Sequence, residues 1–458
     1  MKITLTGSRS APWAWINDKL SNVALASLDK AMSYEMSSYD NPPYTVHLLK
    51  KHEKSGSYFF PIGLVSEAIE ILEDLGYETV YVNGQKAPEP QIKNLMWNGP
   101  SIMWPHQINA VNEIMKNFRD NGKGIILHIA TGSGKSTIIL RLIYELKVPT
   151  LIVVPNNDLV NQWENNIRTV LGVEPGKIQG TKNQQNDITV ATSQTLAKRI
   201  DTLDISKFKF LCQDESHHVP AAQCYKIAMK CNAYYRCGVT ATPRREDGDD
   251  KKIIAGYGKI INPITTRELI NTGILAIPRF IWLKCQVPKG IGYKKWEEVY
   301  RKGIVTNEER NNLIVKQAKK YELEGKSIFI SVERIAHGEI LKERLPGSIF
   351  ITGKESSKTR DSVFSNFRDK TTLIVIATIG KEGLDLPDMD VLINASSGKS
   401  WTTYLQRIGR ALRATKNKKT ATIIDIMDYG HRFLRDHSQR RLEIIKEVFG
   451  EKYIFIED

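Results

Sequence analysis

Cysteine is scarce in this chain of 458 residues: there are five, at positions 212, 224, 231, 237 and 285, and none forms a C-x-x-C pair. A sparse, odd set argues against a disulfide-stapled fold and predicts reduced thiols in a cytosolic setting. Long apolar runs are missing too. No run approaches the roughly 20 residues a membrane helix needs. The opening MKITLTGSRSAPWAW lacks the continuous apolar stretch of a secretory signal. Neither a fixed-period repeat nor a low-complexity tract is visible, which argues against repeat arrays.

What is abundant is positive charge. The formal net charge is +14 and the pI about 9.3, with 41% hydrophobic and 25% charged residues. That composition is globular, and its excess of lysine and arginine favours a polyanionic partner, nucleic acid being the common one. The length predicts two or three domains.

Texture divides the chain. In residues 1–97, YTVHLLK and ETVYVNG read as strands, and GLVSEAIEILEDLGY reads as an amphipathic helix ending near Gly76. The polar NGQKAPEPQIKN then has the composition of a linker. From 98 onward, short apolar runs (GIILHIA, TLIVVP, ITVAT, FKFLCQDE, YRCGVTAT) alternate with helical stretches, the pattern of a parallel sheet covered on both faces. GYGKIINPITTRELINTGILAIPRF reads as a transition. A second series follows: KSIFISV, GSIFITG, TTLIVIAT, VLINAS and ATIIDIM. The expected division is 1–97, 98–265 and 266–458. Near the end, HRFLRDHSQRRLEIIKEVF reads as a helix with Phe433, Leu434, Leu442, Ile445 and Val448 on its apolar face. It is a terminal docking helix, or its arginines touch nucleic acid.

HIATGSGKST follows one of the buried strands and opens a helix, the setting of a phosphate loop. Thr131, Gly132, Ser133, Gly134, Lys135, Ser136 and Thr137 form it. Its glycines let the backbone approach phosphate, and the helix N-terminus supplies positive potential. Lys135 is placed for the β- and γ-phosphates, and the Ser136 hydroxyl for magnesium. Ile129 stands where the strict pattern has its first glycine.

QDESHHVP (213–220) offers four metal-ligating side chains in five positions, so a zinc site and a nucleotide site compete. The acids fall at the C-terminal end of a strand, the end that faces the ligand crevice in an open α/β sheet. Asp214 can then meet magnesium beside Ser136, and Glu215 can orient the attacking water. His217 is placed to couple nucleotide to neighbouring motifs, and His218 has no evident role. Adjacent histidines diverge by about 100° on a helix, unlike those of a zinc protease. The nucleotide reading is preferred.

ATGSGKS, DESH, TATPRR and QRIGRALR, in that order, resemble the superfamily two helicases of DExH type, over residues 98–430. The resemblance implies an ATP hydrolase of α/β class, with two RecA-like doubly wound parallel-sheet lobes preceded by a small α+β N-terminal domain. ATP and Mg2+ would be its cofactors. It implies that Gln107 reads adenine with Trp104 or Pro105 packed nearby, and that Gly383 and Asp385 line the nucleotide cleft. Gln406, Arg410 and Arg413 would serve catalysis, the two arginines at the γ-phosphate, while Arg407 either joins them or forms a structural ion pair. Thr240 and Thr242 would couple hydrolysis to nucleic acid. Pro155, Gln162, Thr192, Gln194, Arg244, Arg245 and Thr378 would contact the strand.

HLLKKHEKSGSYFFPIGLVSEAIEILEDLGY further resembles the N-terminal domain of phage recombination helicases of the UvsW type. That implies that residues 1–97 are a DNA-binding domain contributing to the binding of branched DNA, with forked or junction DNA as partner, no membrane, and the host cytoplasm as location. The alternatives are an RNA or R-loop helicase, and the ATPase motor of a nuclease complex.

Overall fold

A two-residue apolar period opens the chain. In β1 (Lys2–Gly7) Ile3 and Leu5 are buried, and in β2 (Trp13–Ile16) so are Ala14 and Ile16. The structure is a computed structural model. It describes all residues except 9–11, 39–40, 121–123, 217–220, 242–249, 289–295, 379–388, 399–400, 416–417 and 458.

Helix α1 (Asn22–Ala31) starts at Ser21, whose Oγ accepts from Ala24 N at 3.2 Å. There follow the hairpin β3 (Ser33–Ser38) and β4 (Asn41–His47), then β5 (Lys50–Lys51), β6 (Tyr58–Pro61), α2 (Val65–Asp74) and β7 (Glu78–Val82). The helix read over GLVSEAIEILEDLGY is α2, and Gly76, at φ 81°, follows its end. YTVHLLK forms most of β4 but breaks at the buried Leu48 and Leu49. The small sheet runs β5-β6-β2-β1-β7, antiparallel except where β7 pairs β1. Helices α1 and α2 cover one face, packing Ala24, Leu28, Ala68 and Leu72 against Ile3, Leu5, Ala14, Ile16 and Phe60.

The next elements are α3 (Pro105–Arg119), β8 (Ile125–His128), α4 (Lys135–Leu146), β9 (Thr150–Val154), α5 (Asn157–Asn166), β10 (Gly176–Gln179), β11 (Lys182–Gln184) and β12 (Ile188–Thr192). They continue with α6 (Ser193–Arg199), β13 (Phe210–Gln213), α7 (Ala221–Lys230), β14 (Tyr235–Thr240), α8 (Asp250–Tyr257) and β15 (Lys259–Ile261). The eight strands run β11-β10-β12-β9-β13-β14-β8-β15, all parallel except the β10–β11 pair. Every residue of β9, β12 and β13 is buried, as a sheet covered on both faces requires. Ile114, Ile138 and Ile143 pack on one face, and Leu196, Ile227 and Ala228 on the other.

This sheet and the small one share a core. Ala255 of α8 completes the apolar cluster of the small sheet, and a Cβ on Gly63 would collide with the carbonyls of Ile254 and Ala255. Lys251 pairs with Glu67 at 2.5 Å. Contacts accordingly group residues 1–130 and 134–264 in one unit, and 131–133 with 265–458 in the other.

The second unit begins where the sequence suggests a transition. That stretch instead forms α9 (Thr266–Asn271) and the start of β16 (Ile277–Gln286), a ten-residue strand. Its Pro278, Arg279 and Lys284 disguise it. Then come α10 (Trp296–Tyr300), α11 (Glu308–Leu323), β17 (Ile328–Val332), α12 (Ile335–Arg344), β18 (Ile349–Ile351), α13 (Ser357–Arg368) and β19 (Ile374–Thr378). The rest is β20 (Val391–Asn394), α14 (Trp401–Ala411), β21 (Thr420–Tyr429), α15 (Arg432–Phe449) and β22 (Ile454–Glu457). The seven strands are all parallel, in the order β18-β19-β17-β20-β21-β16-β22.

Helix α15 corrects the apolar face expected of it. Its buried stripe is Leu434, Ser438, Arg441, Ile445 and Phe449, while Phe433 is 42% exposed. No helix among the described residues is long and apolar enough to cross a membrane. All five cysteines are buried free thiols.

A buried histidine gives the second unit an acid-sensitive core. His337 of α12 is fully buried, and its Nε2–H donates to Asn311 Oδ1 at 2.9 Å. Burial first, and the Arg310 charge second, push its pKa down to about 3. A histidine depressed from 6.5 stabilises the fold above that pH; as pH falls, the unfolded chain gains the proton first. Stability should therefore decline from about pH 6.5 toward 3, by at most about 1.4 kcal/mol per pH unit from this residue. Denaturant titrations at pH 7, 6 and 5 should show a shallower decline in His337→Gln; equal slopes in both proteins reject this role.

Candidate nucleotide site

The loop after β8 makes two left-handed turns. Gly132 lies at φ 89° and Gly134 at φ 83°, a region where a side chain is strained. Helix α4 begins at Lys135, so Thr131 through Gly134 lead into the N-terminus of a 12-residue helix. Thr137 N donates to Gly134 O at 3.0 Å, and Ser133 is buried. Lys135, Ser136 and Thr137 are half-buried. Such a turn gathers backbone N–H groups toward an anion.

Gln107 guards this loop. It is the third residue of α3, and its Oε1 accepts from Trp104 N at 3.0 Å, closing the helix start. Its amide nitrogen lies against Gly134, where an added Cβ would collide with it. Trp104 is 42% exposed, with its ring 5.6 Å from that of His106.

The acid motif arrives from β13. Asp214 follows the strand directly and is 6% exposed. Its Oδ1 accepts from Glu215 N at 2.9 Å and its Oδ2 from Trp163 Nε1 at 2.8 Å. Burial, and secondarily the charge of Glu215, push its pKa up to about 6; Lys135, the Trp163 indole and the Glu215 amide act in the opposite direction. Glu215 sits at φ 47°, in the left-handed region. Its Oε1 meets Lys135 Nζ at 2.9 Å, both side chains largely shielded. Two motifs 80 positions apart therefore share one ion pair.

The remaining expected residues divide by element. Pro155 follows β9 and Thr192 ends β12; the strands are neighbours, with Thr192 opposite Val154. Thr192 Oγ1 donates to Thr195 Oγ1 at 2.8 Å. Gln162 on α5 and Gln194 on α6 are exposed. Thr240 is buried at the end of β14, and its carbonyl accepts from Ile129 N at 3.0 Å. In the second unit, Thr378 ends β19, Gln406 and Arg410 lie one turn apart on α14, and Arg413 follows the helix; all four are half-buried. Arg407 points inward, its Nη1 donating to Ser396 Oγ at 2.8 Å and Ser331 Oγ at 3.4 Å. His217, Thr242, Arg244, Arg245, Gly383 and Asp385 lie outside the described residues.

Two participants escape sequence reading. Trp163 is 2% exposed and grips Asp214. The only clue is that a buried indole N–H requires an acceptor. His128 pairs with Ala241 through Nε2 at 3.1 Å, joining the strand before the phosphate loop to the TATP segment. Burial first, with Lys135 nearby, lowers its pKa from the ordinary histidine value, while the Ala241 carbonyl acts the other way.

The donor set suits a hard cation. A carboxylate crowded by a like charge and a loop hydroxyl are oxygen ligands of the kind magnesium takes beside phosphates. Among the described residues no cluster of three His, Cys, Asp or Glu forms a metal cage.

Comparison with known proteins extends these observations. The family "Type III restriction enzyme, res subunit" matches residues 101–245, and "Helicase conserved C-terminal domain" matches 307–415. The DNA 3'-5' translocase XPB2 of Sulfurisphaera tokodaii is 28% identical over 72% of this chain and 83% of its own. The ATP-dependent DNA helicase uvsW of Enterobacteria phage T4 is 24% identical over 80% of this chain and 79% of its own. A Rad25 relative from Halobacterium salinarum is 28% identical over 65% of this chain, which spans only 50% of that protein. Among solved structures, an HsdR fragment of a type I restriction enzyme from Vibrio vulnificus superposes with a TM-score of 0.57, at 18% identity, over 77% of this chain and 67% of its own. That likeness is one of fold, and the two large parallel sheets are RecA-like.

Proposed function

We propose that this chain, which belongs to the superfamily two helicases, is an ATP-dependent DNA translocase that unwinds or branch-migrates forked and junction DNA. One observation carries the reading: the phosphate-loop Lys135 and the acid-motif Glu215 meet at 2.9 Å. Relatives named as DNA helicases and translocases support DNA as the track. The division into 1–97, 98–265 and 266–458 belongs to the same reading.

In this mechanism the loop amides and Lys135 bind the ATP phosphates. Ser136 and Asp214 would hold magnesium, which when bound neutralises phosphate charge. Lys135 turns from Glu215 to phosphate as ATP enters, freeing that carboxylate to orient water. Trp104 and Gln107 are assigned to the base. Gln406 is assigned to catalysis, and Arg410 and Arg413 to the γ-phosphate, where an arginine finger is worth ~10³ to 10⁵ in rate. Gly383 and Asp385 are assigned to nucleotide, and His217, Thr240 and Thr242 to coupling. Pro155, Gln162, Thr192, Gln194, Arg244, Arg245 and Thr378 are assigned to strand contacts, which bind backbone and give salt-dependent affinity.

Trp163 holds the carboxylate that the metal needs. Trp163→Phe keeps the ring and removes the donor, so metal affinity or turnover should fall roughly 10- to 100-fold. Magnesium titrations of ATPase and of nucleotide binding check this; an unchanged magnesium requirement assigns Trp163 to packing alone.

The function itself is tested by steady-state ATP hydrolysis without nucleic acid, then with single-stranded DNA, duplex DNA, a four-way junction and RNA at one salt concentration. Strongest stimulation by fork or junction is expected. Preference for RNA would move the assignment to an RNA helicase. No stimulation by any would overturn it.

A further inference from the structure

The face of the small N-terminal sheet opposite its helices carries a row of half-buried and exposed side chains. Its register lines up one row across all five strands: Val82 of β7, Thr6 of β1, Trp15 of β2, Phe59 of β6 and Lys50 of β5. Trp13, two residues before Trp15, projects from the same face. The rings form one array. Trp15 and Phe59 stack with centroids 4.8 Å apart and 28° between planes, and Trp13 meets Phe59 edge-on at 5.3 Å. His52 abuts Trp15 at 5.6 Å. Lys50 Nζ stands 5.7 Å over the Trp13 ring. Trp13, Trp15 and Phe59 are half-buried, while Val82, Lys50, Lys51 and Lys54 are exposed.

Core packing does not require this. The helix-covered face already holds the apolar cluster of this sheet. Aromatic rings on the open face of a small sheet, bordered by lysines, are how bases are stacked and their backbone held. The row carries no carboxylate.

The aromatic array, rather than charge, argues for unstacked bases over duplex backbone. Residues 1–97 hold nine Lys and Arg against eleven Asp and Glu, a net of 9 − 11 = −2, so the +14 of the chain resides elsewhere. Duplex backbone recognition needs a broad basic surface. This face offers π surface with a few local cations.

We propose that the row around Trp15, Phe59 and Lys50 is a binding platform for single-stranded nucleic acid, held by base stacking. It rests on the nucleic-acid reading of the core, and adds a second point of contact that would retain one strand while the motor acts on the other.

The test uses the full chain without nucleotide. Binding of fluorescein-labelled oligo(dT), oligo(rU) and a self-complementary DNA duplex is measured by anisotropy. ATPase with and without DNA is run alongside. Trp15→Ala should weaken oligo(dT) binding at least about fivefold, the loss of one stacked base. Duplex affinity and DNA-free ATPase should hold. Trp15→Phe should restore most of the loss, and an unchanged Tm in Trp15→Ala excludes a folding defect as its cause. Lys50→Glu should lower affinity further and flatten its salt dependence.

Comparable weakening of oligo(rU) and oligo(dT) assigns the platform to either sugar; weakening of one alone names the strand. Unchanged oligonucleotide affinity in Trp15→Ala, or an equal loss for duplex, overturns the platform while DNA-stimulated ATPase preserves the motor. A wild-type ATPase that no nucleic acid stimulates overturns the motor first.

Discussion

Glu215→Gln is expected to bind ATP normally and hydrolyse it about 10²- to 10⁴-fold more slowly, the range for a positioned general base. The substitution keeps volume and backbone conformation, which matters because Glu215 sits at φ 47°. It removes the charge that Lys135 meets at 2.9 Å and that would orient water after ATP draws Lys135 away. Lys135→Ala should go further and abolish turnover while leaving nucleic-acid binding largely intact. It also leaves the carboxylates of Asp214 and Glu215 without their nearest cation, so Asp214, already raised to about 6, should rise further. Single-turnover hydrolysis and fluorescent-nucleotide binding separate the two effects. Normal turnover in Glu215→Gln would reject Glu215 as the water-orienting group; full activity in Lys135→Ala would reject the site.

Those two side chains were legible because their motifs are local. A glycine loop between strand and helix, and acids at a strand end, can each be read within ten residues. Their meeting across 80 positions follows once β8, β14 and β13 lie side by side in a parallel sheet. Trp163 was hidden, since its acceptor lies 51 positions away and nothing nearby marks it. The strand β16 was hidden by Pro278 and two exposed cations, although ten residues of it pair with β21. The row from Val82 to Lys50 was hidden for a third reason. Each residue is ordinary alone, and only the register of five strands makes a surface of them. Local chemistry survives in sequence, whereas register and long-range pairing are decided by the whole sheet.

The same distinction governs Arg441, one of the α15 arginines for which the sequence leaves open docking or contact with nucleic acid. It is instead 2% exposed, with Nε and Nη2 on the two oxygens of Asp425 at 3.0 and 2.9 Å. Asp425, 1% exposed on β21, also accepts from Asn394 Nδ2 at 2.9 Å. A buried bidentate pair is costly to break because the surviving charge has no water to turn to. Arg441→Met should therefore destabilise the second unit by about 3–5 kcal/mol, a fall in Tm on the order of 10 °C for a unit of this size. Removing both charges, Arg441→Met with Asp425→Leu, should recover much of that loss, since no unpaired ion remains. Thermal unfolding of the three proteins decides it. If α15 served nucleic acid instead, Arg441→Met would keep its Tm and lose affinity for DNA, the reverse of what the buried pair requires.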